Sequence, residues 1–214
     1  MWADETVFYQ IYPLGFTGAP MPNDGVCVNR IQKVKGWIPH LKKLHIGSVY
    51  FSPLFESDNH GYDTRDFTKI DCRLGTNEDF KAVCDALHEN GIKVVLDGVF
   101  NHVSSRHPFF QDVLARGRQS RYYRWFYGLP EHPRLPAEGE LPEYACFSYV
   151  ADMPKTDLSC PEACAYFCEV GRYWIETFDI DGWRLDVANE INDGFLRAFR
   201  AAVKAAKPDA LLIG

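Results

Sequence analysis

Stretches of strand character and stretches of helix character alternate along the whole chain, which restricts it to a parallel sheet with helical crossovers. Residues 6–12 are β-branched and aromatic and stop at Pro13. The next helix is expected to begin near Trp37, with Pro39 in its first turn, where a missing N–H costs little, and to run through Leu41 and Leu44 to Gly47. Residues 48–51 read as the second strand. Thr76 is a good N-cap, Glu78 and Asp79 complement the dipole of the turn it opens, and Phe80, Val83, Cys84 and Leu87 recur at the spacing of one buried helix face before Gly91. Residues 92–99 are almost continuously apolar, as a strand buried on both faces should be.

The rhythm breaks between Val103 and Cys160. That stretch carries Pro108, Pro130, Pro133, Pro136, Pro142 and Pro154, is too long for an ordinary loop and reads as an inserted subdomain. The alternation then resumes, with Pro161 at a helix start, a helix to Phe178, a strand over 182–187, a helix over 194–206 and a fifth strand from Ala210. The expected division is therefore 1–102, 103–160 and 161–214. Cys160, Cys164 and Cys168 recur every four residues, but Cys164 and Cys168 share a helical stripe with Phe167, Gly171, Trp174, Ile175 and Phe178, so core packing is preferred to a metal cluster.

A formal net charge of −6 argues against a nucleic-acid partner. One basic, aromatic run stands out, residues 116–127 with Arg118, Arg121, Arg124, Tyr122, Tyr123 and Trp125. It reads as a cleft wall or as a solvated face, and the solvated face is preferred for the arginines. No apolar run has membrane-spanning length, and the first ten residues lack the zones of a secretory signal. Seven cysteines without a paired C-x-x-C framework suit free thiols in a reducing compartment, so no membrane partner and a cytoplasmic location are expected.

Two strands end in carboxylates. Asp97-Gly98-Val99-Phe100-Asn101-His102 closes the third, and Asp181-Gly182-Trp183-Arg184-Leu185-Asp186-Val187-Ala188-Asn189-Glu190 spans the fourth. Arg184 and Asp186 are two residues apart and share one face, with Trp183, Leu185 and Val187 on the other. An arginine beside an aspartate favours the ionised carboxylate, which suits a nucleophile; the pair alone is read equally well as a buried salt bridge. Asp97 reads as an acceptor that orients the arginine, and His102 by itself as a satisfied polar residue. A metal site built from Asp97, His102 and Asp186 is a further arrangement, without H-x-H or paired-histidine spacing to support it.

At these positions the chain resembles the α-amylase superfamily, glycoside hydrolase family 13, over essentially its whole length. Residues 97–102 resemble that family's first conserved region, and 182–190 its second in the form typical of cyclomaltodextrinases and neopullulanases. His60-Gly61-Tyr62-Asp63-Thr64, with Asp66-Phe67 and Leu74-Gly75-Thr76, is similar to the stretch after the second strand, and Met153-Pro154-Lys155 to the region near the end of domain B, continued here by Thr156-Asp157 rather than Leu-Asn. The resemblance implies a TIM (β/α)8 barrel of the glycosidase type, represented by its first half, strands 1–5, plus an inserted domain B. It implies a retaining glycosidase of α-glucosidic bonds in which Asp186 is the nucleophile and Arg184 keeps it ionised. Tyr62, His60, Asp97 and His102 would shape the sugar pocket, and Asn189 and Glu190 would face the leaving group.

The implied substrate is an α-glucan or maltooligosaccharide, and no cofactor is required. Asn189-Glu190 stand where many members carry a lysine-histidine pair associated with calcium, while Asn101 leaves a calcium site open. A homodimer of the complete enzyme is compatible with the resemblance. The family's acid/base glutamate would follow the fifth strand, directly beyond Gly214, so the chain is expected to be a fragment that is inactive alone. The rival from another class is a non-catalytic, amylase-like carbohydrate-binding or partner-binding module, against which the joint presence of Asp186 and Arg184 speaks.

Overall fold

A computed structural model describes residues 1–214. Its strands are β1 (Phe8–Ile11), β2 (Ser48–Phe51), β3 (Phe55–Ser57), β4 (Thr64–Ile70), β5 (Lys93–Gly98), β6 (Gly182–Leu185) and β7 (Leu211–Ile213). Its helices are α1 (Pro13–Thr17), α2 (Lys33–Lys43), α3 (Asn77–Glu89), α4 (Pro108–Arg116), α5 (Pro161–Phe178) and α6 (Asp193–Ala206). The main sheet has five strands in the order β1-β2-β5-β6-β7, and every pairing is parallel. Spatial order equals chain order. Right-handed crossovers that never reverse direction put all the helices on one face and leave the other as the inner wall of a (β/α) barrel, here with five strands and not closed.

The helix-facing layer carries the apolar burden. Val49, Phe51, Val94, Leu96 and Trp183 are fully buried or nearly so, under Phe80 and Val83 of α3, Trp174 and Ile175 of α5, and Phe199 of α6. Each such side chain contributes roughly 1.5–3 kcal/mol by leaving water. α5 and α6 approach closely because Gly171 has no side chain: a Cβ there would meet the Phe199 ring at 2.5 Å. Cys164 and Cys168 pack against the same core along α5. No helix is long and apolar enough to cross a membrane.

Thr76 caps α3 as the residue types require, in a reciprocal capping box with Asp79. α2 differs from expectation. It starts at Lys33, a turn before Trp37, so Pro39 lies inside it. The buried stripe Ile31, Val34, Ile38 and Leu41 carries the helix through, and Pro39 sits on the exposed side. The antiparallel pair β3–β4, which follows β2, also lies outside the sequence expectations.

Between β5 and α5 the chain forms α4, short 3-10 turns and three isolated bridges, His102 with Lys155, Phe126 with Thr156 and Cys146 with Pro154. Phe110, Trp125, Phe126 and Tyr144 of this segment join the core that lies under the sheet. Arg118, Arg121 and Arg124 are exposed, Arg121 lying over the Tyr122 ring.

Candidate active site

Parallel register fixes the centre of the inner face. Asp97 of β5 lies opposite Arg184 of β6, and Tyr50 of β2 lies opposite Val95, in phase with Asp97. The side chains meet accordingly. The Arg184 guanidinium donates to both Asp97 oxygens, at 3.1 and 3.2 Å, and to Asp186 Oδ1 at 2.6 Å, while the Tyr50 hydroxyl donates to Asp97 Oδ2. Asp97 is fully buried. Burial pushes its carboxyl up to about 6, against the lowering effects of Tyr50 and Arg184. Burial also opposes the charge on Arg184, but Asp97 and Asp186 overcome it and hold the guanidinium protonated.

Asp186 is placed by a turn rather than by the strand. β6 ends at Leu185, the Asp186 N–H donates to the Gly98 carbonyl at 3.1 Å, and Val187 adopts φ 51°, ψ 38°. Val187 therefore does not continue the outward alternation expected of it; it is turned into the cleft beside Asp186. A β-branched residue in the left-handed region is a true outlier, held only where its surroundings over-determine it. The carboxylate opens into a cleft of about 750 Å³ lined by Phe147, Arg184, Asp186, Val187, Asn189 and Gly214, among others.

Two more groups converge on it. His102 is buried, its Nε2 has no partner, and its ring stacks on Phe147 at 4.7 Å and 22°. Burial drives its pKa down to about 4, a neutral imidazole despite the nearby Asp186. Tyr62 is half-buried, and its hydroxyl is raised by burial and then by the charges of Asp97 and Asp186, which places it at the same centre. His60 stands behind it: Nδ1 accepts from the Tyr62 N–H at 3.2 Å. Asn189 and Glu190 are exposed at the rim, and Glu190 pairs with Lys155 at 2.8 Å.

Asp97, Arg184, Asp186, Tyr62 and His102 thus come together, with His60, Asn189 and Glu190 around them. Tyr50 and Phe147 belong to the same site without having been singled out in the sequence. Tyr50 could have been noticed as the inward residue of β2; Phe147 lies in a segment without period and left no signal. Between the two carboxylates sits a guanidinium, where a shared metal would have to be, and this excludes the Asp97, His102 and Asp186 metal arrangement on electrostatic grounds.

Asn101 is buried directly beside His102. Its Nδ2 approaches His102 Nδ1 at 3.5 Å. Glu56, Asp71 and Cys72 bring three metal-capable atoms close together, but Arg73 and Ser57 occupy Asp71, and Asn23, Arg65 and the Cys72 N–H occupy Glu56. That group is a structural network.

The family model for the alpha-amylase catalytic domain matches residues 10–209. The chain is 43% identical to a maltogenic alpha-amylase of Bacillus acidopullulyticus, with all of the chain and 39% of that protein aligned. It is 39% identical to neopullulanase 2 of Thermoactinomyces vulgaris, again over the whole chain and 39% of the relative. Among solved structures, a cyclomaltodextrinase superposes on 99% of the chain with a TM-score of 0.86 at 38% identity, the chain covering 39% of it. The chain thus spans about two fifths of the length of these relatives.

Proposed function

This chain belongs to the alpha-amylase catalytic-domain family, and from that premise we propose that it supplies the nucleophile side of a retaining glycosidase centre acting on α-glucosidic bonds of starch-type oligosaccharides. The observation that carries the reading is the Asp186 carboxylate, ion-paired at 2.6 Å with Arg184 and open to a sugar-sized cleft.

In this reading Asp186 attacks the anomeric carbon while the glycosidic oxygen leaves, giving a covalent glycosyl ester that water later opens. Arg184 donates to Asp186 Oδ1 at 2.6 Å and holds the carboxylate in position. Asp97, held by Tyr50, fixes the arginine, so the positive charge stays where the carboxylate needs it. The Tyr62 ring offers an apolar face to the C–H side of a pyranose, and the neutral, unpartnered His102 Nε2 is available to a sugar hydroxyl. The other half of the reaction needs a proton donor roughly 5–5.5 Å from the nucleophile. Asp97 is committed to Arg184 and Tyr50, and Glu190 to Lys155, so we place the acid/base carboxyl in chain beyond Gly214.

The direct test is to trap the ester. A fluorinated α-glucosyl fluoride incubated with the complete protein should add one glycosyl mass to the peptide that contains Asp186. Asp186→Asn should remove the adduct and lower turnover of maltotriose by at least about 10³-fold, or 4 kcal/mol of barrier. An adduct on another carboxylate, or a variant that retains its rate, would refute the assignment.

A further inference from the structure

Two pairs of thiols meet in space, Cys27 with Cys72 and Cys164 with Cys168, and all four are unbridged. The catalytic reading uses none of them. Cys164 and Cys168 stand four apart on α5, where Cβ atoms are roughly 5–6 Å from each other, whereas a disulfide needs about 3.5–4.5 Å. Bridging them would unwind a helix whose Ala163, Phe167 and Val170 are buried in the core.

Cys27 and Cys72 are placed differently. Cys27 is exposed in the loop between α1 and α2, and Cys72 is half-buried in the turn after β4. The two segments run side by side: the Val28 N–H donates to the Cys72 carbonyl at 3.0 Å, and the Arg30 N–H to the Leu74 carbonyl at 2.9 Å. Both advance by two residues in the same sense, which is half the bonding of neighbouring parallel strands, and that register sets Cys27 beside Cys72. Segments so paired lie about 4.7–4.9 Å apart, within the roughly 4.4–6.8 Å between Cα atoms that a disulfide spans. The side chains follow the backbone. Cys27 is a hydrogen-bond partner of the Cys72 thiol, whose sulfur also lies 3.5 Å from Asn23 Oδ1. No helix or strand holds Cys27, so its sulfur is free to make the last adjustment. Burial first and the Glu56 charge second push the Cys72 thiol up to about 11, so it stays protonated at neutral pH and the pair rests reduced until an oxidant reaches the exposed Cys27.

We propose that Cys27 and Cys72 form a thiol-disulfide site that small-molecule disulfides such as oxidised glutathione close into a bridge. The Cys27 thiolate attacks one glutathione sulfur, giving a mixed disulfide and releasing one glutathione thiolate. Cys72, on losing its proton to water, attacks the Cys27 sulfur, and the second glutathione thiolate leaves. Two electrons pass to the oxidant, and the two thiol protons end on two reduced glutathiones. The bridge closes a loop of chain that contains α2, β2 and the β3–β4 hairpin, and it stabilises the fold by restraining the unfolded chain over that span.

Mass mapping tests this. The purified protein is incubated with oxidised glutathione or with dithiothreitol, free thiols are blocked, and the tryptic peptides are weighed without reduction. Cleavage after Arg30, Lys69 and Arg73 puts the two cysteines in separate peptides. In the oxidised sample alone these peptides should be joined, two hydrogens lighter than the pair. Its melting temperature should be higher by on the order of 5–10 °C, a rise that dithiothreitol reverses. Cys27→Ser, a change at an exposed loop position, should carry no link and melt like the reduced protein under both conditions. Recovery of Cys72 in blocked form, with glutathione alone on Cys27, overturns the site. A link from either cysteine to a different one does the same, as does an equal rise in melting temperature for oxidised Cys27→Ser.

Discussion

At the scale of single residues, the charge pattern was legible because strand geometry is rigid. A period of two puts Arg184 and Asp186 on one face, and the carboxylate at the end of the neighbouring strand is the natural partner for the arginine. Tyr50 escaped notice because its hydroxyl reaches Asp97 only through the register of a third strand, which the sequence does not state. Val187 escaped because alternation extrapolates past the end of a strand, and the backbone there does not. Its left-handed conformation leads to a prediction. Glycine adopts φ near 51° freely, so Val187→Gly should raise stability by about 1 kcal/mol in chemical denaturation while lowering the rate of the complete protein, because the turn that aims Asp186 loosens. A loss of stability of that size, the ordinary consequence of glycine, would show that no strain is stored at this turn.

At the scale of elements, the five strands of the main sheet fell within a residue or two of where period and punctuation placed them, α3 began directly after its Thr76 cap, and α5 began at Pro161. The β3–β4 hairpin was hidden for a physical reason. Register shifts on both sides of Glu56 break the two-residue alternation, so the buried residues of β4, Thr64, Phe67 and Ile70, fall three apart. α4 has an unusual cap that makes it sensitive to acid. His107 is buried, and its Nδ1 accepts from the Phe109 N–H at 3.2 Å, which a protonated ring cannot do. Burial lowers its pKa to about 4 from an ordinary 6.5. The native state therefore binds fewer protons than the unfolded chain across that interval, and the stability His107 contributes above pH 6.5 is lost as the pH falls through 4. His102 acts in the same direction and the buried Asp97 in the opposite one, since its raised carboxyl favours folding as it protonates below about 6. His107→Asn keeps a capping acceptor and removes the titration. Relative to the native protein it should gain roughly 3 kcal/mol between pH 6.5 and 4, read as the difference of two denaturation series. Parallel series would show that His107 titrates normally.

For the molecule as a whole, the sheet is the decisive fact. Its strands run in chain order, its helices cover one face, and β1 and β7 each keep an unpaired edge. The uncovered face is polar: Gln10 donates to Ser52, Tyr50 to Asp97, and Arg184 to both carboxylates. Such a face is of little use for packing against a helix and suits a barrel interior, where eight strands are needed and five are present. The alpha-amylase relatives, of which the chain spans about two fifths, have ample length for the rest. The catalytic requirement leads the same way, since a nucleophile without a proton donor across the scissile bond cannot expel a sugar alkoxide at neutral pH. Expressed alone, the 214-residue polypeptide should therefore fail to turn over maltotriose. A longer polypeptide that adds the chain following Gly214 should melt at a higher temperature and hydrolyse it, because the added strands pair the two edges and bring the second carboxyl opposite Asp186. Comparable turnover by both would mean that the proton donor lies within these residues. Glu190, released from Lys155, would then be the first group to replace.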